Sequence, residues 1–459
     1  MSAESESKQI CQTLLQMDTT NPPGDEQKAA RYLAAQFAEV GVAAELLDGG
    51  PKMERTSACS ERGSTRTNVV ARLRGNGKLP PLLLTAHLDV VEADASKWKY
   101  PPFSGIEAEG CLWGRGAIDM KNMAAMCTAI VRDIAKQGCT LDRDIIFAGV
   151  ADEEMGCDLG SRYLVENHRS LVEAEYAIGE SGGFSLHLGD TTFYPIQVAE
   201  KGFCWVRATL RGEPGHGSMP RADSVIYKLA EALTKLGNAT MPLHPTKYVT
   251  EFLDALRSQQ PALVQPLVKL LARPALLARI ARLVPSTGVA RSFGALLSNT
   301  ASATVVRAGS KTNVIPGLAQ FEIDGRTLPG QRDEDFLAEL RAVLGPDVEL
   351  EIIKSAPPVM TEPVATPVFN IIERCIMERE PKAVVVPYMI PGFTDAKYFS
   401  QTGAKWYGFS PVKIEKASGI KFADMFHGHN ERIPVAGLAW GTEVLNAVVR
   451  EVAGARAPA

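Results

Sequence analysis

Three consecutive acidic residues, Asp152, Glu153 and Glu154, follow the apolar run IIFAGV, which begins at Ile145. A short apolar run of this kind predicts a buried strand. Neighbouring carboxylates at the end of a buried strand repel one another unless a cation neutralises them. The stretch therefore predicts a site for a positively charged partner, and metal-assisted chemistry is the first candidate.

Other predicted strands end in residues of the same kind. LLLTAHLDV contains His87 and Asp89, GRGAIDMKN supplies Asp119 just before a helix, and YAIGESGG supplies Glu180. The carboxyl ends of parallel strands form the usual ligand crevice of an open α/β sheet. Each acid alone would more often be a solvated loop residue, so the prediction depends on the whole set.

This combination of side chains predicts a particular metal chemistry. Imidazole together with carboxylate suits zinc, and two ions that share one carboxylate suit metal-assisted hydrolysis. Asp89 lies two residues after His87 and so on the same side of an extended segment. We expect it to fix the imidazole tautomer from behind the metal.

The elements that must position these residues alternate along the chain. Helix and strand patterns alternate over residues 1–200, and the short apolar runs NVVARL and PLLLTAH are typical of buried strands of a parallel sheet. This alternation predicts the first part of a doubly wound α/β domain. Residues 201–356 read as strand, helix, strand, strand, helix, strand, which predicts an inserted α+β sandwich. The α/β pattern resumes over residues 357–459 and ends in an amphipathic helix, roughly Val435 to Val452.

Length and composition predict a globular protein with two domains. A chain of 459 residues is too long for one ordinary core. Lys and Arg number 49 against 53 Asp and Glu, a net charge of −4, which gives no reason to expect nucleic acid as a partner. The N-terminus MSAESESKQI does not read as a signal peptide, and no apolar run is long enough for a membrane span. With eight scattered cysteines and no CxxC pair, we expect reduced thiols and a cytoplasmic location.

One stretch of the insertion is both apolar and basic: PALVQPLVKLLARPALLARIARLVP, residues 261–285. A helix on a membrane surface is one interpretation. Its prolines favour another, in which short helices cover the insertion or line an apolar pocket.

Eight motifs occur in a characteristic order: HLDVV, GRGAIDMKN, DEEMG, GES, GEPGHGSMP, NVIPG, GFTDAKYF and HGHNERI. With them the chain resembles the zinc exopeptidases and amidohydrolases of the aminoacylase, carboxypeptidase G, carboxypeptidase S and succinyl-diaminopimelate desuccinylase type. The resemblance runs from MDTTNPPGDE, at Met17, to the last helix. It implies a doubly wound zinc-peptidase catalytic domain with an inserted α+β sandwich that acts as lid and dimerisation domain.

The resemblance also implies the metal ligands. The family holds two zinc ions per subunit, for which cobalt or manganese can substitute. Asp119 matches the carboxylate that bridges the two ions, and His87 and Glu180 match the residues that complete one of them. Glu154 and His427 match the ligands of the other.

Two details of the ligand set come from the family pattern. HGHNERI contains His427 and His429, and the family's ligand precedes its glutamate by four residues; counted from Glu431, this selects His427. A cis peptide bond commonly follows the bridging aspartate, which here is the bond between Asp119 and Met120.

The catalytic base is one of two adjacent acids. The residues alone leave open whether Glu153 or Glu154 is the base, and the family pattern assigns Glu153. In that role it takes a proton from the metal-bridging water that attacks the scissile carbonyl and returns it to the leaving amine.

Further residues match substrate contacts of the family. His216, between two glycines in GEPGHGSMP, matches the lid histidine that stabilises the oxyanion, typically from the partner subunit of a dimer. Asn313 and Arg326 match residues that hold the substrate, and a guanidinium suits a free carboxylate. Gly392 matches a backbone contact. For Asn313 and Arg326, ordinary strand and turn polar groups remain the alternative.

The leading hypothesis is a dinuclear zinc hydrolase that forms a homodimer and cuts an amide or peptide bond beside a free carboxylate. Its substrates would be N-acyl-amino acids or short peptides. The apolar insertion and HGHNERI resemble the carboxypeptidase S and fatty-acyl amino acid hydrolase branch of the family, and this resemblance implies a bulky acyl group or hydrophobic side chain. A metal-free binding or scaffold protein with the same fold is the alternative, but it predicts a broken ligand. A phosphoesterase would need a basic phosphate cradle near the ligands, which the sequence lacks.

Overall fold

A computed structural model describes residues 2–49, 66–260, 294–362 and 364–458, with five isolated positions between 262 and 276. Most of the apolar-basic stretch 261–285 therefore lies outside the described residues. The chain divides into two compact units. The first comprises Met1–Val198, Thr361–Pro387 and Thr394–Ala459, and the second comprises Ala199–Met360 and Tyr388–Phe393.

The strands are, in chain order, β1 (Ala44–Asp48), β2 (Thr67–Leu73), β3 (Leu82–His87), β4 (Ile106–Ala108), β5 (Cys111–Trp113), β6 (Ile145–Val150), β7 (Tyr176–Gly179), β8 (Leu186–Leu188), β9 (Thr191–Glu200), β10 (Gly202–Arg211), β11 (Gly215–His216), β12 (Thr300–Ala308), β13 (Val314–Ile315), β14 (Leu318–Thr327), β15 (Glu349–Ala356), β16 (Val359–Met360), β17 (Val384–Ile390), β18 (Lys405–Gly408) and β19 (Arg432–Pro434).

The helices are, in chain order, α1 (Ala3–Leu15), α2 (Gln27–Ala38), α3 (Lys121–Lys136), α4 (Ser161–Asn167), α5 (Arg169–Val172), α6 (Val225–Asn238), α7 (Lys247–Ser258), α8 (Asp333–Leu344), α9 (Pro367–Arg379), α10 (Ala396–Phe399), α11 (Phe422–Met425) and α12 (Val435–Ala453).

The first unit is built on a mixed sheet with the strand order β1-β2-β6-β3-β7-β18-β9. Its centre, β6-β3-β7-β18, is parallel. All residues of β3, β6 and β7 are buried, as expected for central strands covered on both faces. Helix α3 packs on β3, and α1 and α12 pack on α3. Parallel central strands place their C-terminal ends at one edge, where the loops that follow them meet.

Strand β2 differs from the sequence expectation. Its apolar run NVVARL indicated a parallel strand, but β2 is antiparallel to both β1 and β6. Its first five residues are buried, so the apolar run follows from burial and does not indicate parallel pairing. Burial on both faces produces the same pattern whichever way a strand runs.

The second unit contains a four-stranded antiparallel sheet in the order β12-β14-β10-β15. Alternate residues of β10, such as Val206 and Ala208, pack with Leu229 of α6 and Phe336 of α8 in one apolar core. The sheet order and the two helices give the expected α+β sandwich. The segment NVIPGLAQFEIDGRTL forms two strands, β13 and β14, which are separated at Pro316 and Gly317 because proline has no N–H for a ladder.

Within the described parts of the chain, none of the helices combines the length and the apolar character that crossing a bilayer requires.

Candidate active site

The predicted site residues lie at the ends of neighbouring strands of the first unit. His87 is the last residue of β3, Glu153 begins the turn three residues after β6, and Glu180 follows β7. Because β6, β3 and β7 are adjacent and parallel, these side chains reach one edge of the sheet. Asp119 precedes α3, and its peptide bond to Met120 is cis, as the resemblance implies.

Asp119 lies between two imidazoles. Its Oδ1 is 3.0 Å from Nε2 of His87, and its Oδ2 is 3.4 Å from Nε2 of His427. Nε2 of His427 is 3.1 Å from Oε2 of Glu154, and Nε2 of His87 is 3.9 Å from Oε2 of Glu180. Each oxygen of Asp119 thus faces a different imidazole, and each imidazole faces a different glutamate.

The donor set fits divalent metal ions. Two sets of three residues each offer ligand atoms that all lie within 4.8 Å of one another. One set is His87, Asp119 and Glu154, and the other is His87, Glu153 and Glu180. Oε1 of Glu154 and Oε1 of Glu180 are buried and have no hydrogen-bond partner among the described residues. Since a buried carboxylate oxygen normally has a donor, these two oxygens are suited to a cation.

The electrostatics of the cluster favour added positive charge. Burial raises the pKa of Glu153, Glu154 and Glu180, and the charges of nearby acids raise it further. Hydrogen bonds with Asp119 and Glu154 raise the pKa of His427 to about 10. Raised pKa values on both the acids and the histidines mean that the ionised acids repel one another and attract positive charge. Protons or metal ions can supply that positive charge.

Asp89 connects the loop after β3 to the loop after β6. Its main-chain oxygen is 3.0 Å from Nδ1 of His87, whereas its Oδ1 is 3.6 Å away. Its carboxylate accepts hydrogen bonds from the main-chain N–H groups of Glu153, at 3.2 Å, and Glu154, at 3.1 Å. Burial lowers the pKa of His87, but hydrogen bonds with Asp119 and Asp89 outweigh it and raise the pKa well above its usual value.

The loop that carries Asp119 is held by a buried glutamate. The carboxylate of Glu431 accepts hydrogen bonds from the main-chain N–H groups of Gly116, Ile118 and Asp119, at 2.9, 2.7 and 3.0 Å. Arg115 donates to the same carboxylate at 2.7 Å. The motifs GRGAIDMKN and HGHNERI are therefore joined directly at the main chain of Asp119.

The two C-terminal histidines have different surroundings. His427 faces the cluster although its side chain is 57% exposed, and its φ of 53° is in the left-handed region. His429 is exposed on the same loop. The cluster is accordingly open to solvent on the side of His427.

In the second unit, His216 ends β11, and Asn313 immediately precedes β13, with which β11 forms a short ribbon. His216 pairs with Val314, and the N–H of Gly217 donates to the main-chain oxygen of Asn313 at 2.8 Å. Nδ1 of His216 accepts a hydrogen bond from the N–H of Ser218 at 3.2 Å. A neutral imidazole that accepts at Nδ1 carries its proton on Nε2, so this exposed ring can donate from Nε2.

Arg326 is paired within the second unit. Its Nε is 2.9 Å from Oδ1 of Asp324, and its NH2 is 3.1 Å from Oδ2. Trp205 donates to the same Asp324 at 3.0 Å. The guanidinium lies 4.8 Å from the ring centre of Phe393, which follows Gly392 in the chain. NH1 is the guanidinium nitrogen outside the Asp324 pair, and it is suited to a further anion.

The structure divides the predicted site residues between the units. The first unit contains His87, Asp89, Asp119, Glu153, Glu154, Glu180 and His427, and it brings them together. The second unit contains His216, Asn313, Arg326 and Gly392.

Sequence reasoning missed two buried residues behind Asp89, namely Asn21 and Arg66, and it gave Asp152 no separate role. Asn21 donates to the carboxylates of both Asp89 and Asp152. The motif MDTTNPPGDE contains Asn21, and its turn residues indicate a loop but no contact partner. No local pattern distinguishes Arg66.

The sequence of this chain matches a known protein family and several of its relatives. A family model described as peptidase family M20/M25/M40 matches residues 83–451. An N-fatty-acyl-amino acid synthase/hydrolase from Xenopus tropicalis is 29% identical over 77% of this chain and 69% of the relative. A probable carboxypeptidase S-like protein from Dictyostelium discoideum is also 29% identical, over 78% of this chain and 69% of the relative.

A solved structure shows the same fold. The crystal structure of an M20 family metallo-carboxypeptidase from Sulfolobus solfataricus superposes with a TM-score of 0.68, at 18% identity, over 97% of this chain and 98% of that one. The expected fold class, a doubly wound α/β domain with an inserted α+β sandwich, is confirmed.

Proposed function

The chain belongs to peptidase family M20/M25/M40 and is a hydrolase of amide or peptide bonds, and we propose that it is a dinuclear zinc enzyme that cuts such a bond beside a free carboxylate. The observation that carries this proposal is the position of Asp119, with one carboxylate oxygen facing His87 and the other facing His427. Two glutamates with unpartnered buried oxygens support it.

Each ion has a set of three residues. One would be held by His87, Asp119 and Glu180, and the other by Asp119, Glu154 and His427. Bound zinc supplies Lewis acidity, which polarises a carbonyl and makes water more acidic near neutral pH. Cobalt or manganese could take the same oxygen and nitrogen ligands.

Glu153 is the proposed general base. Its side chain is buried, and burial followed by the charge of Glu180 raises its pKa. A carboxylate with a raised pKa is suited to take a proton from water and pass it to the leaving amine near neutral pH. An oxygen of Glu153 lies within 4.8 Å of ligand atoms of His87 and Glu180, so its carboxylate is close enough to the cluster to reach a water molecule bound there.

His216 is the proposed oxyanion donor. The Ser218 N–H that donates to Nδ1 leaves the proton of the neutral ring on Nε2, which is the form that can donate to a developing oxyanion. Its exposure in the second unit is consistent with action on the partner subunit's site in a homodimer.

The substrate is proposed to be an N-acyl-amino acid or a short peptide. NH1 of Arg326 would bind the free carboxylate, and Asn313 and Gly392 would contact the rest of the substrate. Phe184, which follows Glu180 by four residues, stacks on Phe422, and Phe422 meets Phe426, the residue before His427, edge to face. This aromatic group, and the name of the Xenopus tropicalis relative, support a hydrophobic acyl group or side chain.

The test uses matched substrates and a matched pair of variants. Zinc-loaded protein should release amine from an N-acyl-amino acid faster than from the same compound with its carboxylate amidated, and removal of zinc by a chelator should stop both reactions. Asp119→Asn should lose bound zinc and turnover. The control is Asp133→Asn, which changes an acid of helix α3 that pairs with Arg450. This variant should retain bound zinc and turnover. Turnover that continues without metal, or equal rates on acid and amide, would overturn the proposal.

A further inference from the structure

Asn21 bridges two buried carboxylates behind the candidate active site. Its Nδ2 is 2.8 Å from Oδ2 of Asp89 and 3.2 Å from Oδ1 of Asp152. Asn21 is 4% exposed, and both aspartates are 0% exposed. One amide NH2 group therefore donates its two hydrogens to two acids that water does not reach.

Arg66 extends this chain of contacts. It donates from NH2 to Oδ1 of Asp152 at 3.0 Å and from Nε to Oε2 of Glu26 at 2.7 Å. Its NH1 donates to the main-chain oxygen of Pro23 at 3.1 Å. Gly24 has a φ of 80°, and a Cβ added there would come within 2.4 Å of Nε of Arg66. The backbone of the N-terminal segment is thus shaped to accept this guanidinium.

Asp89 and Asp152 hold the loop that carries the predicted base, Glu153, and the predicted ligand, Glu154. Asp152 has a left-handed backbone, with φ of 67°, and its Oδ2 accepts from the N–H of Leu159 at 3.2 Å. The next two N–H groups, of Glu153 and Glu154, donate to Asp89. The loop after β6 is therefore held at one end by Asp152 and along its backbone by Asp89.

We propose that Asn21 and Arg66 are positioning residues of the metal centre. Asn21 ties the loop after β3 to the loop after β6, and Arg66 ties the second loop to the N-terminal segment. The inference rests on the metal-dependent hydrolase proposed above. Both residues precede residue 83, where the match to the family model begins.

The expected effect follows from the donors that would be lost. Without the Asn21 amide, two buried carboxylates lose a hydrogen bond in a place where no water can replace it. Asp89 contacts His87 directly and receives the N–H of Glu154, so its displacement would move ligands of both ions. Residues that orient metal ligands typically change metal affinity by about 10–100-fold when they are replaced.

The test compares two buried asparagines. Asn21→Leu removes the bridge, and Asn299→Leu is the control in the second unit. Asn299 is also 0% exposed and also bonds a carboxylate, that of Glu339 at 2.9 Å, as well as the N–H of Leu328 at 2.9 Å. Zinc affinity is measured by titrating the metal-free proteins against a coloured chelator, and the melting temperature is measured with and without zinc.

Asn21→Leu should weaken zinc binding about 10–100-fold and reduce the zinc-induced rise in melting temperature. Asn299→Leu should lower the melting temperature but keep wild-type zinc affinity. Asn21→Gln keeps an amide, but on a longer side chain that no longer fits the bridge between Asp89 and Asp152. This variant should also bind zinc more weakly, and it tests the proposal if the leucine variant does not fold.

The outcomes separate this inference from the proposed function. Unchanged zinc affinity in both Asn21 variants, or an equal loss in Asn299→Leu, would overturn the positioning role while the wild-type protein still binds zinc. A wild-type protein that binds no zinc in the same titration would overturn the proposed function itself.

Discussion

Replacing Glu431 with glutamine should destabilise the first unit by about 3 kcal/mol. Oε1 of this carboxylate accepts from the N–H groups of Ile118 and Asp119, and Oε2 accepts from Arg115 and the N–H of Gly116. Glutamine has the same shape, but one of its two terminal atoms is a donor. Whichever way the amide turns, two of the four donors lose their acceptor.

The magnitude is a balance of two effects. A buried donor left without an acceptor costs about 1–3 kcal/mol, so two of them cost about 2–6 kcal/mol. Breaking a buried ion pair costs about 3–5 kcal/mol, and Arg115 loses its counter-charge although it still donates to the main-chain oxygen of Gly428 at 2.9 Å. Against this, burial raises the pKa of Glu431 in spite of Arg115, so the native carboxylate is itself strained by desolvation and glutamine removes part of that penalty. The net effect therefore falls in the lower half of the range.

Urea unfolding followed by tryptophan fluorescence measures this free energy. Four of the chain's five tryptophans lie in the first unit and only Trp205 lies in the second, so the signal reports mainly on the first unit. The control is Glu166→Gln, the same chemical change at an exposed ion pair with Arg162 at 2.9 Å, which should change stability by less than about 1 kcal/mol. If Glu431→Gln also stays within about 1 kcal/mol of wild type, the four hydrogen bonds do not hold the Asp119 loop as described.

Three further predictions concern the reaction. His427→Ala should lose bound metal and turnover, whereas His429→Ala should keep both; metal analysis that gives the reverse order would show that the wrong histidine was assigned. Arg326→Ala should raise KM for substrates with a free carboxylate by about tenfold or more, with little effect on amidated ones, because a charge-assisted contact is worth about 1.5–3 kcal/mol; equal losses would indicate a structural role. Inactive His216→Ala and Glu153→Ala proteins, refolded together, should regain about a quarter of wild-type sites if the histidine acts across a two-fold dimer. Mixed dimers that form, bind metal and stay inactive would exclude that arrangement.

Much of the candidate site could be predicted because its residues belong to local patterns. His87, Glu153 and Glu180 follow apolar runs that are recognisable as strands, and parallel neighbouring strands bring their ends to one edge. The direction of β2 could not be predicted, because burial on both faces gives the same apolar run whether a strand is parallel or antiparallel. The residues that hold the ligands from behind were equally out of reach. Asn21 lies 68 and 131 residues from its two partners, and nothing in its neighbourhood indicates either contact.

The sequence by itself determined the kinds of side chain at the strand ends, the alternation of elements that forms two units, and the order of motifs that indicated the family. These properties depend on short-range periodicity and composition, which any segment displays on its own. Only the tertiary structure decided which oxygen of Asp119 faces which imidazole and which groups hold that loop. Glu431 reaches the N–H of Asp119 across 312 residues of chain. Such contacts arise because burial requires every polar group to find a partner, and the partner is chosen by the packing of the whole unit.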